Sequence, residues 1–262
     1  MFTKIPPEES EKYKHLFRNW KYFSVTLKYA LEEKIGQLEV DDPINPVYAK
    51  FSFATFLYLA GTHDKKIAHK ILETLPSRTI IIVNDQNWFE SIERFYGSKE
   101  GIDFRYVERT NFSNASLSLE HLQSLKKPLP EGFDLEKVDK KTAENLPFIL
   151  KGNILAYFGT ADNFIERGVG FCVKEGDKPV SMASSGFPFK NSLEIDIVTV
   201  DDPKYRRKGL ATAASIALIE HCMEKGISAH WDAQNEPSIR LATKLGFTSP
   251  EKWKLFYFWK KT

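Results

Sequence analysis

Cysteine is scarce in this chain: Cys172 and Cys222 are its only two among 262 residues. They stand far apart and without the spacing of a metal-ligand pair, which argues against a disulfide framework and against a cysteine-bound zinc ion. The six histidines likewise show no pairing that resembles a metal site. We therefore expect two buried, reduced thiols in a cytoplasmic protein that binds no metal.

Long apolar runs and an excess of charge of one sign are also missing. The longest apolar stretches, such as 51–60, are too short to cross a bilayer as a helix, and the charged start, MFTKIPPEESEKYKHLF, lacks the apolar run of a signal peptide. Lysine and arginine total 37 against 35 acidic residues, a formal net charge of +2, which gives no general reason to bind nucleic acid. We expect neither a membrane nor a nucleic-acid partner.

Strand and helix patterns alternate along both halves of the chain, which predicts an α/β fold with α+β character. In the first half, the spacing of apolar residues predicts one long helix over 9–35 and a strand over 49–59. The run TIIIV at 79–83 is continuously apolar, as expected of a strand that is buried on both faces.

The segment Lys126-Lys127-Pro128-Leu129-Pro130-Glu131-Gly132 has the composition of a linker, because it combines charge with two prolines and a glycine. We therefore predict an N-terminal α/β domain at 1–127, a linker at 128–132 and a second domain at 133–262.

The stretch from Glu194 to Ala211, EIDIVTVDDPKYRRKGLA, carries the strongest functional signal. An alternating strand leads through Asp-Asp-Pro to Arg206-Arg207-Lys208-Gly209, at the start of a helix predicted over 209–225. The first amides of a helix have no partner within it and lie at the positive end of its dipole, so a basic turn here suits a phosphate or diphosphate. The same turn also fits a solvated basic loop. It is neither a Walker loop nor a Rossmann fingerprint, because GxxxxGK[ST] is absent and the turn has one glycine.

This segment and the residues after it resemble the GNAT superfamily of acyl-CoA-dependent N-acetyltransferases. Residues 206–211 match the acetyl-CoA signature Arg/Gln-x-x-Gly-x-Gly/Ala, and Asn235, Ser238 and Lys244-Leu245-Gly246-Phe247 match a second motif at the expected distance. Three further segments, GQLEVDDPINPVYAKFSFATFLYLAGTHD, NWFESIERFYG and FCVKEGDKPVSMASSGF, are similar to the zwittermicin-resistance-like branch. The resemblance implies a C-terminal GNAT fold, with a mixed, splayed central sheet flanked by helices, and an N-terminal domain that helps to form the acceptor cleft.

The resemblance also implies acetyl-CoA as the co-substrate and assigns residues to it. Backbone amides of the basic turn would wrap the diphosphate, with close approach permitted at Gly209. The strand would splay from its neighbour at 228 and pair with the pantetheine arm. The residues implied in cofactor binding are Val198, Thr199, Val200, Arg206, Arg207, Lys208, Gly209, Leu210, Ala211, Thr212, Asn235 and Ser238.

Two carboxylates are candidates for catalysis. Glu194 and Asp196 lie two residues apart on a strand, and therefore on one face of it. In many members of the superfamily a strand carboxylate near this point takes the proton of the ammonium group, and Glu194 aligns best with that position. The pair also fits an anionic subsite for a cationic amine, or an ion pair with a nearby Lys or Arg.

One position departs from the family pattern. Many members have a tyrosine as general acid just before the KLGF segment, where this chain has Ala242, so the proton donor is unassigned. His230 and Trp231 lie on the strand that is expected to border the cleft, where each could either pack in the core or face the acceptor.

We expect an N-acetyltransferase that moves acetyl from acetyl-CoA to a small-molecule amine by direct attack in a ternary complex. The branch suggests an amino-polyol antibiotic or related amine as acceptor, and hence a role in antibiotic resistance. The alternatives are an acyl-CoA-binding regulatory module without catalysis, which Ala242 favours, and an acetyltransferase of protein N-termini or lysines. Both a monomer and a homodimer remain open.

Overall fold

The fold is that of a computed structural model. The residues it describes are 2–18, 20–61, 63–76, 78–85, 87–97 and 100–260.

The chain forms two compact units, of which the first comprises residues 1–109 and 252–262 and the second residues 110–251. This division differs from the predicted one. Residues 110–132, which include the predicted linker, belong to the second unit, and Leu129 of the linker packs against the core of that unit. The strand near the end of the sequence belongs to the first unit. The roles expected of the two domains stay predictions.

The first unit is a sheet with helices beside it. Its strands follow the order β1-β2-β3-β4-β5-β13-β6, in which β4 and β5 are parallel. Its elements are β1 (Thr3–Ile5), a 3₁₀ helix (Pro7–Phe17), α1 (Ser24–Glu32), β2 (Gln37–Val40), β3 (Ala49–Phe53), β4 (Phe56–Ala60), α2 (Lys65–Glu73), β5 (Arg78–Val83), α3 (Asn87–Tyr96), β6 (Ile102–Ser113) and β13 (Thr248–Lys260). The strands β6 and β13 extend past the division between the units.

The second unit is built on a five-stranded sheet of order β11-β10-β9-β8-β7. Its remaining strand, β12, pairs with residues 110–111. Its elements are α4 (Leu119–Ser124), β7 (Phe133–Lys137), α5 (Lys140–Asn145), α6 (Phe148–Asn153), a π helix (Ile154–Phe158), α7 (Ala161–Arg167), β8 (Gly170–Glu175), β9 (Lys178–Ser185), β10 (Ser192–Thr199), a 3₁₀ turn (Pro203–Tyr205), α8 (Leu210–Lys225), β11 (Ser228–His230), β12 (Asp232–Ala233) and α9 (Glu236–Leu245).

The sheet of the second unit separates two apolar clusters. One lies on the side of α8 and includes Leu193, Ile195 and Leu218; the other lies on the side of α5–α7 and includes Met182 and Phe164. This mixed α/β architecture confirms the predicted fold class. None of the helices in the described part of the chain has the length and apolar character needed to cross a membrane.

One succession of elements occurs in both units. Three antiparallel strands are followed by a helix, a strand parallel to the third, and a second helix. These elements are β2-β3-β4-α2-β5-α3 in the first unit and β8-β9-β10-α8-β11-α9 in the second. In the second unit the 3₁₀ turn also lies between β10 and α8, and the short strand β12 lies between β11 and α9.

Two predictions for the first unit are wrong. The helix expected over 9–35 is a 3₁₀ helix and a separate α1, because Phe23, with φ 49°, takes a left-handed conformation directly before α1. The strand expected over 49–59 is a hairpin of β3 and β4, which turns at Ala54 with φ 51°. Apolar spacing alone does not reveal either interruption.

Candidate functional site

Strands β10 and β11 run side by side over a short distance. Their parallel register ends with the pair Glu194–His230. Beyond it, β10 continues to Thr199 beside β9, whereas the chain after His230 turns away to pair with residues 110–111. From Ile195 on, one edge of β10 therefore has no strand partner among the described residues. This is the predicted splayed sheet, and such an edge can pair with an extended chain that carries amide groups.

The side chains of β10 alternate between the two faces of the sheet. Leu193 and Ile195 lie in the core on the side of α8, and Val198 packs on the opposite side against the cluster of α5–α7. Because the period of a strand is two residues, Glu194 and Asp196 share the face of Val198. Glu194 is buried, with 8% of its surface exposed, and Asp196 is half-buried. The two carboxylates thus lie side by side where the strands separate.

The turn between β10 and α8 leads into an uncapped helix. Asp202 caps the 3₁₀ turn by accepting a hydrogen bond from the amide of Lys204, after which Arg207 and Gly209 both adopt positive φ, 59° and 79°. Gly209 is the residue before α8, and no side chain among the described residues caps that helix. The first amides of α8 therefore remain available to a ligand.

Side chains around the turn hold it to the strands. The carboxylate of Glu175, at the end of β8, accepts hydrogen bonds from the Tyr205 hydroxyl at 2.8 Å and from Lys204 Nζ at 2.9 Å. These bonds lower the pKa of Glu175, so it stays ionised at neutral pH. Lys208 Nζ lies 5.0 Å from the centre of the Phe133 ring. The turn is therefore anchored at Tyr205, which is buried.

The residues of the turn fit a diphosphate. A Cβ built on Gly209 would meet no atom within 4 Å, so the space beside this residue is open to a ligand. Arg206, Arg207 and Lys208 are exposed; Arg206 pairs with the exposed Asp201. Three cations and a run of helix-start amides match the charge and the acceptor oxygens of a diphosphate. Leu210, by contrast, is buried in the core and would contribute its backbone only.

The other residues expected to bind the cofactor have local partners. Asn235 caps α9 by accepting a hydrogen bond from the Ser238 amide at 3.0 Å. The Ser238 hydroxyl accepts a hydrogen bond from the indole N–H of Trp231, also at 3.0 Å. Thr212 Oγ1 accepts one from Lys244 Nζ at 3.3 Å. Trp231 is 1% exposed, so it packs in the core rather than facing an acceptor.

Two further strand residues in the cofactor prediction lie at the splayed end of β10. The Thr199 hydroxyl is 2.8 Å from the Ser181 hydroxyl, and the Val200 amide donates to the Val180 carbonyl at 2.8 Å. Both contacts tie the end of β10 to β9. The opposite edge is the one that would meet the pantetheine arm.

Ala242 lies inside the second unit. It is fully buried in the core cluster on the side of α8, and its carbonyl accepts a hydrogen bond from the Phe247 amide. The absence of a tyrosine here therefore leaves no gap in an open cleft: the position is occupied by core packing.

His230, which the sequence predicts either to pack in the core or to face the acceptor, is the register partner of Glu194. Its Nε2 lies 3.1 Å from the Ser228 hydroxyl, which accepts a hydrogen bond from Asn114 Nδ2 at 2.9 Å. Burial lowers the pKa of His230 below 6.5, so the ring is neutral at pH 7. A neutral imidazole beside Glu194 can accept or relay a proton. Only the strand register brings the two residues together, and register has no signature in the sequence.

The two cysteines are buried and free. Burial raises the pKa of both thiols to about 12, so neither is a thiolate at neutral pH. Among the residues that the structure describes, no group of three or more His, Cys, Asp or Glu side chains is arranged to hold a metal ion.

Known proteins match this chain over most of its length. A structure titled a GCN5-related N-acetyltransferase-like protein, from Streptococcus suis, is 27% identical, with a TM-score of 0.78 over 97% of this chain and 100% of the other. A GCN5-related N-acetyltransferase from Kribbella flavida has the same fold, with a TM-score of 0.59 at 14% identity over 90% of this chain and 93% of the other.

A curated relative matches over a shorter region. The uncharacterized N-acetyltransferase YdfB of Bacillus subtilis is 34% identical over 131 residues, which is 49% of each chain. The match thus spans about half the length of that relative. The family model described as GNAT acetyltransferase matches residues 14–256, nearly the whole sequence. Because this model covers nearly the whole sequence, the chain belongs to the GNAT acetyltransferase family.

Proposed function

We propose that this protein transfers an acetyl group from acetyl-CoA to an amine of a small molecule, by direct attack in a ternary complex. The observation that carries the proposal is the arrangement around β10. A buried carboxylate, Glu194, lies where the strand separates from its neighbour, and an uncapped helix start follows the same strand. The same strand thus carries a carboxylate that can act as a base and leads into an anion site that can anchor the cofactor.

The cofactor side of the site uses backbone groups and cations. The amides at the start of α8 would bind the diphosphate, with Arg206, Arg207 and Lys208 adding positive charge. The free edge of β10 from Ile195 to Thr199 would hydrogen-bond the amides of the pantetheine arm. Val200 would lie beside the arm without bonding to it, because its amide is bonded to Val180 and its carbonyl to the Asp202 amide. With the diphosphate at the turn after β10 and the pantetheine arm along the strand, the acetyl end would lie toward Glu194, near the start of β10.

The catalytic side needs a group that makes the amine nucleophilic. Bound acetyl-CoA supplies a thioester carbonyl that the amine nitrogen attacks, with release of the CoA thiolate. The Glu194 carboxylate accepts the proton of the ammonium group, directly or through water, which frees the nitrogen lone pair. Asp196 adds a second negative charge on the same face and favours a cationic acceptor. Position 242 has no acid, so in this scheme water protonates the CoA thiolate and takes up the second proton, which the nitrogen loses as the amide forms.

The acceptor we propose is a small molecule that is cationic at neutral pH. Two carboxylates on one face favour such an amine, and the branch resemblance suggests an amino-polyol antibiotic or a related amine. The formal net charge of +2 gives no support to a strongly charged macromolecular acceptor.

A second candidate, an acyl-CoA-binding module without catalysis, is favoured by one observation. Position 242, where many members of the family have a tyrosine as general acid, is an alanine that is fully buried in the core. Such a module would bind acetyl-CoA and accelerate no amine acetylation.

Titration calorimetry with acetyl-CoA tests the cofactor half of the proposal. We expect binding that is lost in Gly209→Glu, because a side chain there places volume and negative charge in the diphosphate position. Gly226→Glu is the matched control: it lies at the other end of α8, has φ 65° and also has open space around its Cβ. Absence of binding, or equal binding in both variants, would contradict the cofactor site.

Release of free CoA with a broad panel of amines tests the catalytic half. We expect at least one small amine to accelerate release over the rate in water alone. If acetyl-CoA binds and no amine accelerates release, the non-catalytic module is the better description.

A further inference from the structure

We infer that each chain binds a single acetyl-CoA, in the second unit, because the first unit is a second copy of the same fold whose anion-binding helix start is closed by Asp64. The inference rests on the proposed function, since it takes the start of α8 as the acetyl-CoA site. It adds that acetyl-CoA binds to the second of the two similar units and not to the first.

The two units present comparable positions for a cofactor. In the first unit, β4 leads into α2 and then to the parallel strand β5; in the second, β10 leads into α8 and then to the parallel strand β11. In each unit, the helix that follows the third antiparallel strand connects it to the parallel strand beside it. The N-terminus of this helix therefore lies at the carboxyl end of the two parallel strands. The start of α2 therefore corresponds to the start of α8.

A carboxylate already occupies the start of α2. Asp64 Oδ1 accepts hydrogen bonds from the amides of Lys66 and Ile67, both at 2.9 Å. These are the groups that a diphosphate oxygen would need. The same hydrogen bonds, that from Ile67 first, lower the pKa of Asp64, so it is ionised at neutral pH. A diphosphate would have to displace a bound anion of like charge.

The connection before α2 also lacks the features of the basic turn. Residues 61–64 join β4 to α2, whereas residues 200–209 join β10 to α8, so the first connection is much shorter. It carries Asp64 in place of three consecutive cations. Lys65 and Lys66 follow on the helix, but their exposed side chains do not replace amides that are already bonded.

Calorimetric stoichiometry on the intact chain tests this inference. We expect one acetyl-CoA per chain, and none in Gly209→Glu. Because the Cβ of a glutamate strains a backbone at φ 79°, Gly209→Asn is a second variant: asparagine tolerates a left-handed backbone better, yet it still places a side chain in the open space. We expect at least a tenfold loss of affinity in Gly209→Asn, with Gly226→Asn unchanged.

Hydrogen exchange measured with and without acetyl-CoA locates the ligand independently. We expect slower exchange at 206–213 and unchanged exchange at 64–70. Two molecules per chain, binding that persists in a folded Gly209→Glu protein, or ligand-dependent protection at 64–70 would overturn the inference. No binding to the unmodified protein would instead contradict the proposed function, on which the inference rests.

Discussion

Glu194 and His230 form the last residue pair of the parallel ladder between β10 and β11, and the two strands separate immediately beyond them. Side chains that are paired in a parallel ladder lie on the same face of the sheet. A carboxylate and an imidazole are therefore neighbours at the point where the sheet opens. This arrangement places the proposed base on rigid strands rather than on a loop, which favours precise positioning.

Replacing Glu194 by glutamine tests the proposed base. The amide has the same shape but cannot accept a proton, so we expect kcat/KM for the best amine of the panel to fall by about 10² to 10⁴. The acetyl-CoA affinity should stay within about twofold, because the anchor is in the turn. Asp196→Asn should have the smaller effect. An exposed control is Glu236→Gln, whose carboxylate pairs with Arg240. Full activity of Glu194→Gln at neutral pH would remove Glu194 as the base.

Replacing Glu175 by glutamine tests the anchoring of the turn. The change weakens the hydrogen bonds from Tyr205 and Lys204, so the basic turn should become less ordered. Since the carboxylate is partly exposed, we expect only a two- to fivefold weaker binding of acetyl-CoA, roughly the range for surface ion pairs. The matched control is Glu108→Gln, which breaks an exposed pair with Lys252 in the first unit. Equal effects of the two variants on acetyl-CoA binding would contradict a specific role of Glu175.

The stability of the protein should fall as the pH decreases below 6.5. Burial lowers the pKa of His230 and of His221, whose pKa is lowered further by Lys137 and Lys225. Between the folded and unfolded pKa values, the unfolded chain binds more protons, so the free energy of unfolding decreases with decreasing pH. Well above pH 6.5 these histidines are neutral in both the folded and the unfolded state, so their contribution to the pH dependence vanishes.

Urea unfolding at pH 7.5 and pH 5.5 measures this effect. We expect His230→Gln and His221→Gln each to reduce the loss of stability between the two pH values. His15→Gln, at an exposed histidine, should leave the loss unchanged. A pH dependence that is identical in all three variants would contradict the assignment to the half-buried His221 and His230.

Introducing the family's tyrosine should not restore a general acid. Ala242 is fully buried in a packed core, so Ala242→Tyr overpacks it and should lower the free energy of unfolding by about 1–3 kcal/mol. The neighbouring Thr243 is exposed, and Thr243→Tyr is the control with the same new side chain. Denaturant unfolding and CoA release measure the two effects. An Ala242→Tyr protein that is both stable and faster would show that this position reaches the reaction centre.

The elements of the second unit could be predicted closely because their signals are local. The alternating pattern over 192–200 and the alanine-rich segment over 209–225 agree with β10 and α8 to within one residue. Gly226 ends α8 in a left-handed conformation, as a glycine after a helix indicates. The first unit was less predictable, because the interruption at Phe23 depends on its tertiary surroundings rather than on residue spacing.

The site could be predicted only in part, for the same reason. The basic turn is a contiguous motif, so its position was evident. The anchor between Glu175 and Tyr205 joins residues that are 30 positions apart, and the neighbour of Glu194 follows from strand register. Neither leaves a pattern in a single sequence. Likewise, the cap at Asp64 gains its meaning only from the comparison of two helix starts.

The place of β13 has a consequence for synthesis of the protein. Its residues 256–259 pair with β5 in the sheet of the first unit, although about 170 residues of chain separate the two strands. On the ribosome, residues 110–251 are complete before residues 256–259 of this strand are made, whereas the first unit must wait for them. The unit whose translation begins first is thus the last to complete its sheet, and until then an edge of β5 is exposed to other chains.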